Sequence, residues 1–236
     1  MKIKIQRFNK KTKIQEFKLG KSVVTLLEGF NEIKTKIDAS FTFRSGCRSE
    51  VCGSCAVVVN GKEKLACGYK VQDGDIIEPL KKATVIKDMV VELDNSMQKN
   101  SKSLNFLDLK SDKIPTNKDE KRIEVQSNCI LCNSCYSSCP ILEVNKNFLG
   151  PFALSRNLRY VNDVRVENIK EKLGAVQSNG IWDCTLCGEC TLVCPQNIDP
   201  KTDILMLRTK SIQQGFSDPT YLSFDDFSPS GFNPNF

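Results

Sequence analysis

The sequence predicts an α+β protein in which a small sheet domain, residues 1–95, is followed by an all-helical domain, residues 123–215. Three observations support this order. Apolar and polar residues alternate with the period of strands through much of the first segment. In the second segment the apolar residues instead recur at helical spacing. A polar stretch, residues 96–122, separates the two patterns and is interpreted as a linker.

In the first segment we expect one helix packed on a mixed sheet. The helix is predicted over residues 23–37, where apolar residues recur at helical spacing despite Gly29. Asn60-Gly61 is typical of a hairpin tip and separates two of the predicted strands. The predicted strands are residues 3–8, 13–19, 56–59, 64–67, 76–79 and 85–93.

In the second segment helices are predicted over residues 151–164, 168–173 and 203–215. Glycines at 174, 180 and 215 lie where helices could end. The C-terminal residues 216–236 are rich in Phe, Asp, Pro and Ser. We interpret them as an extended tail with aromatic anchors, with a disordered tail as the alternative.

Composition excludes several classes of protein. The 236 residues contain no histidine, which removes the usual general acid–base group and the commonest zinc ligand. The net charge of +6 predicts a solvated surface without nucleic-acid binding, because aromatic residues are not interleaved with the basic ones. The start, MKIKIQRF, does not read as a secretory signal, and no run approaches the roughly 20 apolar residues of a membrane helix.

The twelve cysteines fall into three sets, and the first set has the spacing of a two-iron site. Cys47, Cys52 and Cys55 form C-x4-C-x2-C, and Cys67 follows at a distance. This is the spacing of plant-type [2Fe–2S] ferredoxins. Gly46, Gly53 and Ser54 are small residues that let backbone N–H groups point at sulfur. A structural zinc site is the alternative.

The other two sets repeat one pattern, CxxCxxCxxxCP, as CILCNSCYSSCP and CTLCGECTLVCP. In bacterial ferredoxins the first three cysteines of such a run hold one [4Fe–4S] cluster and the fourth binds the other cluster. A reciprocal pair of sites is therefore predicted. The first [4Fe–4S] set is Cys129, Cys132, Cys135 and Cys194; the second is Cys139, Cys184, Cys187 and Cys190.

Iron–sulfur clusters exchange single electrons, so three of them in one chain predict electron transfer. The sequence contains no Gly-rich phosphate loop, no Ser/His/Asp set and no flavin fingerprint. We therefore expect an electron-transfer subunit of an oxidoreductase, with no catalytic residues or substrate site of its own.

The order and spacing of the three sets resemble the iron–sulfur subunits of succinate dehydrogenases and fumarate reductases. Matching stretches are FRSGCRSEVCGSCAVVVNGKEKLAC, VIKDMVVEL, GPFALSRNLRYVND and IWDCTLCGECTLVCPQNIDP. The resemblance implies a β-grasp, plant-type ferredoxin-like domain over residues 1–95 that docks on an FAD-containing flavoprotein. It implies a bacterial-ferredoxin-like helical domain over residues 123–215 that docks on a membrane-side subunit, in a quinol-linked hetero-oligomer.

The sequence departs from the commonest family pattern around the last cluster. That pattern replaces the second cysteine of the last set, leaving [3Fe–4S], whereas this chain has Cys187. A second [4Fe–4S] is the simplest inference, and [3Fe–4S] follows if Cys187 is not a ligand. Thr185 stands where the family usually has His, and Glu143 or Val144 where it has Trp. These departures resemble the methylmenaquinol:fumarate reductases, whose membrane-side subunit is cysteine-rich.

That resemblance implies anaerobic respiration and peripheral attachment to the inner membrane through partner subunits. The cytoplasmic face is the default, and the periplasmic face would require co-export with a twin-arginine partner. Two other interpretations stay open. Related subunits serve other flavoprotein dehydrogenases or reductases (glycolate, glycerol-3-phosphate, heterodisulfide-linked). A basic zinc module that contacts nucleic acid is the remaining one.

Overall fold

The N-terminal half forms a mixed five-stranded sheet, and the C-terminal half is built of short helices. The structure is a computed structural model that describes residues 1–107 and 111–219. The predicted α+β class and the order of the two halves are confirmed. The strands are β1 (Lys2–Asn9), β2 (Lys11–Lys18), β3 (Ala56–Val59), β4 (Lys62–Leu65), β5 (Ile76–Glu78), β6 (Val85–Lys87) and β7 (Val90–Val91).

The sheet has the strand order β2-β1-β5-β3-β4, in which only β1 and β5 run parallel. Alternation along β1 buries Ile3 and Ile5 completely, as the period of two requires. The β3–β4 hairpin is closed by Asn60 (φ 50°) and Gly61 (φ 80°). Two successive left-handed residues make the type I′ turn that Asn-Gly predicts, so β4 begins at Lys62, two residues earlier than expected.

One helix packs on this sheet. It is α1 (Leu26–Glu32), continued by a π-helical turn at Ile33–Ile37. Thr25 fixes the start, because its hydroxyl accepts from the Glu28 amide while the Glu28 carboxylate accepts from the Thr25 amide. The helix therefore begins three residues later than predicted. Leu26 and Phe30 are buried against the sheet.

A buried arginine ties the sheet to the loops beyond it. Arg7 is 6% exposed and donates to Asp88 Oδ1 and Asp38 Oδ2, both at 2.7 Å. Its guanidinium also lies 5.2 Å from the Phe41 ring centroid. Hydrogen bonding to Arg7 holds the pKa of the Asp38 carboxyl well below its usual range.

The single strand predicted over residues 85–93 is wrong. It is a hairpin of β6 and β7 that turns at Asp88 (φ 47°). The turn lets the Asp88 carboxylate reach inward, where it also accepts from the backbone amides of Phe8 (3.2 Å) and Thr42 (2.9 Å). Pairing with Arg7 thus overrides the strand preference of the local sequence.

The helical half is organised around two longer helices. They are α7 (Pro151–Val161) and α10 (Pro200–Gln213), which bury Leu154, Leu158, Ile204 and Leu207 between them and their neighbours. The predicted helix over 203–215 starts earlier because Asp199 caps α10 and Pro200 occupies its first position. The remaining helices here are α4 (Glu124–Ser127), α5 (Ser134–Ser137), α6 (Ile141–Val144), α8 (Ile169–Gly174) and α9 (Glu189–Leu192), with a 3₁₀ turn at Ile181–Asp183.

The predicted linker, residues 96–122, contains two helices that its polar sequence did not indicate. They are α2 (Asp94–Lys102) and α3 (Asn117–Lys121). The buried side of α2 is polar, since it consists of Ser96 and Lys99, so no apolar periodicity marks it. The domain boundaries at residues 95, 123 and 215 stay predictions.

The two halves meet through a buried polar contact. Ser137 in α5 donates to Glu63 Oε1 in β4 at 2.7 Å and accepts from the Lys81 amide at 2.8 Å. Since α5 lies inside the first cysteine repeat, the contact fixes that repeat against the sheet domain. Residues 220–236, most of the predicted tail, lie outside the described residues. In the described part, no helix is long and apolar enough to cross a membrane.

A buried carboxyl lies between α10 and α4. Asp203 is 3% exposed and accepts from Gln126 Nε2 at 2.8 Å. Burial, with a smaller contribution from the Asp199 carboxylate one turn earlier, raises the pKa of Asp203 to about 6.

Replacing Arg7 with methionine should lower the free energy of unfolding by about 3 kcal/mol, because Asp88 would stay buried without its counter-ion. Chemical unfolding followed by circular dichroism measures this. Lys2→Met is the matched control, since the Lys2–Glu16 pair is exposed on the same strand and should not measurably change stability. Equal effects of the two substitutions would contradict the assignment.

Asp203 should make stability depend on pH. An unfolded aspartate titrates near pH 4, so the folded protein loses stability as pH rises from about 4 to about 6, by about 3 kcal/mol in all. Asp203→Asn stays neutral and should abolish this loss in unfolding measurements at pH 4, 5, 6 and 7. Asp112→Asn changes an exposed carboxyl and should keep the wild-type slope. Parallel slopes in wild type and Asp203→Asn would rule out this account.

Candidate metal centres

The first cysteine loop runs from the end of the α1 region to β3 and turns its backbone amides onto sulfur. Cys47 Sγ lies 3.2–3.3 Å from three amide nitrogens, those of Ser49, Val51 and Cys52. The Glu50 amide lies 3.3 Å from Cys67 Sγ. N–H donors directed at sulfur stabilise thiolate and bound sulfide, and they are among the features that set cluster potentials.

Left-handed residues give this loop its shape. Arg48 (φ 62°), Glu50 (φ 59°) and Gly53 (φ 69°) alternate with ordinary conformations. For the two non-glycine residues this conformation costs roughly 1–2 kcal/mol each, so the loop does not adopt it by local preference. The alternation of left-handed and ordinary backbone conformations turns successive N–H groups to one side and forms an anion-binding concavity. The loop therefore fits an anionic iron–sulfur group.

The thiols of this set experience different environments. Hydrogen bonds from Ser54 and from the Cys47 amide lower the pKa of Cys52 to about 6. Burial raises the pKa of Cys55 to about 11 and outweighs the backbone hydrogen bonds from Cys67 and Ala66, which lower it. Cys67 follows β4, and the Ala66 amide donates to the Cys55 carbonyl at 3.0 Å, so the hairpin brings Cys67 to Cys55.

The structure brings Cys194 to the first three cysteines of the other repeat. The four line a small cavity, partly open to solvent, together with Phe152 and Ile198. Burial raises the pKa of Cys129 and Cys132, and the neighbouring Cys194 thiolate raises both further. The pKa of Cys135 is raised well above its ordinary value for the same reasons.

Cys139 joins the cysteines of the second repeat in the same way. Burial raises the pKa of Cys190 to about 12, with contributions from the thiolates of Cys184, Cys139 and Cys187. Cys139 is likewise buried and affected by Cys184 and Cys187. In the folded chain the fourth cysteine of each repeat therefore lies near the first three cysteines of the other repeat. This is the exchange of fourth cysteines that the sequence predicts.

The two repeats share one backbone conformation. Leu131 (φ 54°) and Asn133 (φ 64°) flank Cys132; Leu186 (φ 56°) and Gly188 (φ 88°) flank Cys187. A four-residue helix follows each, α5 after Asn133 and α9 after Gly188. Cys187 therefore occupies the same local geometry as Cys132, although it is more exposed.

The grouping does not fit mononuclear zinc. Zinc holds four sulfurs about 2.3 Å from one ion, so they must converge closely. Among the described residues no group of three or more Cys, Asp or Glu side chains converges in a way that could hold one metal ion. A polynuclear cluster spaces its thiolates further apart, because each binds a different iron. The four cysteines that line the cavity at the first repeat are compatible with this wider spacing.

Two cations near the last cysteine set were missed by sequence reasoning. Arg208 in α10 donates to the carbonyls of Ile181 (2.9 Å), Trp182 (3.3 Å) and Cys184 (2.6 Å), and so holds the turn that leads into the repeat. Buried Lys99 donates a hydrogen bond to Tyr136 Oη at 2.8 Å. In the sequence, Tyr136 lies between Cys135 and Cys139. Neither position carries a local motif, because both contacts join distant segments.

Comparison with protein families agrees with the three sets. A 2Fe-2S iron-sulfur cluster binding domain matches residues 2–98, and a 4Fe-4S dicluster domain matches residues 125–198. A chain of the Mycobacterium smegmatis Sdh1 complex has the same fold, with a TM-score of 0.81 and 18% identity over 93% of this chain and 98% of that one.

Relatives of known sequence fall into two groups by length. The 8-methylmenaquinol:fumarate reductase iron–sulfur subunit of Wolinella succinogenes is 34% identical over 92% of this chain and 74% of its own. The fumarate reductase iron–sulfur subunit of Mycobacterium tuberculosis is 34% identical over 74% of this chain and 76% of its own. An uncharacterized iron–sulfur protein of Methanocaldococcus jannaschii is 36% identical, but the chain spans only 41% of its length.

The predicted resemblance is thereby confirmed, as are the predicted [2Fe–2S] and [4Fe–4S] cofactors and the electron-transfer role. Cysteine spacing, folded geometry and relatives lead to one conclusion: the chain belongs to the iron–sulfur subunits of the fumarate reductase and succinate dehydrogenase family.

Proposed function

We propose that this chain carries electrons between a flavoprotein active site and a membrane-side redox subunit of a fumarate reductase complex. Bound iron–sulfur clusters supply the one-electron chemistry. The chain's own residues hold them in three places. Cys47, Cys52, Cys55 and Cys67 hold the [2Fe–2S] cluster; Cys129, Cys132, Cys135 and Cys194 the first [4Fe–4S]; Cys139, Cys184, Cys187 and Cys190 the second.

One observation carries the proposal. The fourth cysteine of each repeat lies near the other repeat, and the two repeats have the same backbone conformation around their second cysteine. Cys194 lies on the cavity of the first repeat, and Cys139 among the cysteines of the second. Buried thiols with raised pKa values resist ionisation unless cations neutralise them. Such a grouping is stable in the ionised state only with metal bound.

Cys187 is proposed as a full ligand, which makes the last cluster [4Fe–4S]. The support is its left-handed neighbours Leu186 and Gly188, which reproduce the surroundings of Cys132. A cysteine retained by chance would have no reason to share that geometry. A [3Fe–4S] cluster is the alternative if Cys187 does not bind.

Exposed apolar side chains beside two of the cysteine sets support partner subunits at those places. Val51, in the first loop, is 64% exposed. Val144 in α6 and Leu192 in α9 are 85% and 78% exposed, close in sequence to Cys139 and Cys190. We assign the first surface to the FAD-containing flavoprotein and the second to the membrane-side subunit, so the chain works in a hetero-oligomer at the inner membrane.

The methylmenaquinol type of complex fits the last cluster best. The Wolinella succinogenes relative, named for 8-methylmenaquinol and fumarate, matches 92% of this chain. Thr185 is exposed and Val144 faces solvent, so the usual His and Trp of a quinone pocket are replaced by side chains that do not enclose one. Electrons are therefore proposed to pass to cofactors of a cysteine-rich membrane-side partner, with cytoplasmic placement as the default.

A second candidate is a thiol-linked reductase. A relative from Methanothermobacter marburgensis, part of its fumarate reductase (CoM/CoB), is 31% identical over 90% of this chain, which spans 45% of that protein. Its thiol chemistry would replace the quinol as the electron source, with the same three clusters in this part of the chain.

Cys187→Ala should convert the last cluster from four irons to three. We expect the intact complex to lose about one iron per chain from a total of about ten. The oxidised complex should gain the EPR signal of [3Fe–4S], absent from wild type. Thr185→Ala removes a neighbouring polar side chain and should leave iron content and spectrum unchanged. If untreated wild type already showed the [3Fe–4S] signal, and Cys187→Ala did not change it, Cys187 would be excluded as a ligand.

The complex purified with its flavoprotein should reduce fumarate with a reduced dye or quinol analogue as donor. Quinol-driven activity should need the membrane-side subunit, whereas dye-driven activity should not. Failure to act on both fumarate and succinate would refute the leading proposal. Activity with CoM and CoB thiols, but not with quinol, would favour the second candidate.

A further inference from the structure

The first cysteine loop touches the first repeat at one glycine. Gly53 is buried between Cys52 and Cys55 with φ +69°. A Cβ placed on Gly53 would lie 2.6 Å from Cys132 Cβ and 2.9 Å from Cys132 Cα. Real Cβ atoms essentially never approach other atoms this closely. Any side chain at this position must therefore push the two loops apart.

The surrounding contacts hold the loops together at this point. The Ile130 carbonyl lies 3.2 Å from the same Cβ position, and Ile130 and Cys132 pack against the core of the sheet domain. Gln196, two residues after Cys194, donates from Nε2 to the Glu50 carbonyl at 3.1 Å. We call the Gly53–Cys132 contact and the Gln196–Glu50 hydrogen bond together the loop interlock.

We propose that the loop interlock sets the spacing between the two-iron cluster and the first four-iron cluster, with Gly53 as its positioning residue. The inference rests on the ligand sets proposed above. Cys132 is then a ligand of one cluster, and the backbone of Gly53 joins two ligands of the other. At this contact the Gly53 backbone lies directly against Cys132, with no side chain between them. The two loops, and therefore the clusters that they hold, cannot come closer at this point.

Spacing matters because the chemistry is a single electron transfer. With clusters bound, the first loop would hold the electron donor, and Cys129, Cys132, Cys135 and Cys194 would hold the acceptor. One electron would pass from the first site, which is oxidised, to the second, which is reduced, and no bond or proton would change. The transfer probability falls exponentially with distance, so a small displacement of the loops slows the step.

The competing explanation is that only the backbone conformation requires glycine. Gly61, at the β3–β4 hairpin tip, separates the two explanations. Its φ of +80° is similar, and nothing lies within 4 Å of its added Cβ. Alanine at either position carries the same left-handed strain of roughly 1–2 kcal/mol, but only at Gly53 does it meet another atom.

The test uses the intact complex in three variants: Gly53→Ala, Gly61→Ala and Gln196→Leu. Iron content is measured first. The reduced [2Fe–2S] EPR signal is then recorded after dithionite reduction, because its microwave power saturation reports the distance to the neighbouring reduced cluster. The rate of reduction of the four-iron cluster through the flavoprotein is measured by rapid mixing.

Gly53→Ala should keep its iron, saturate at several-fold lower power and transfer electrons several-fold more slowly. Gly61→Ala should match wild type in all three measurements, and Gln196→Leu should shift in the direction of Gly53→Ala by a smaller amount. Unchanged saturation and rate in iron-replete Gly53→Ala would overturn the proposal. If Gly53→Ala loses iron, the Gln196→Leu variant provides the test instead. Wild-type saturation and rate in Gln196→Leu would then overturn the proposal. If the wild-type complex does not contain about ten irons per chain, the proposed function itself would be contradicted, and not only the loop interlock.

Discussion

The structure depends on holding buried thiols where their own burial disfavours ionisation. Burial raises the pKa of Cys135 and Cys190 strongly, so in the proposed ligand sets the charge of these thiolates would be neutralised by bound iron. The backbone adapts to this requirement. Left-handed residues at Leu131 and Leu186 turn the chain beside Cys132 and Cys187, and the helices that follow are only four residues long. Under the proposed ligand sets, ionisation of these buried thiols and metal binding are therefore coupled in this half of the molecule.

Much of the candidate site could be predicted from the sequence because its candidate ligands lie in short, repeated loops. The spacing from Cys129 to Cys135 fixes a local loop, and duplication predicts where the fourth cysteine comes from. The α+β order could be predicted for a similar reason, since alternation along β1 and the Asn60-Gly61 turn are local signals.

What the sequence could not predict depends on contacts between distant segments. Asp88 ends a strand that its neighbours favour, because it pairs with Arg7 more than eighty positions away. Helix α2 has no apolar face to detect, since the residues it buries are Ser96 and Lys99, and Lys99 donates a hydrogen bond to Tyr136 in the first repeat. The contact of Gly53 with Cys132 is of the same kind: the glycine is visible in the sequence, and its neighbour is not.

The exchange of fourth cysteines also constrains the order of biogenesis. In the proposed ligand sets, the two-iron site has all its cysteines once Cys67 has been synthesised and β4 has formed. By contrast, the site of the first repeat waits for Cys194, which lies near the end of the helical half. Completion of the two four-iron sites therefore needs both cysteine repeats, whereas the two-iron site needs residues of the sheet domain alone.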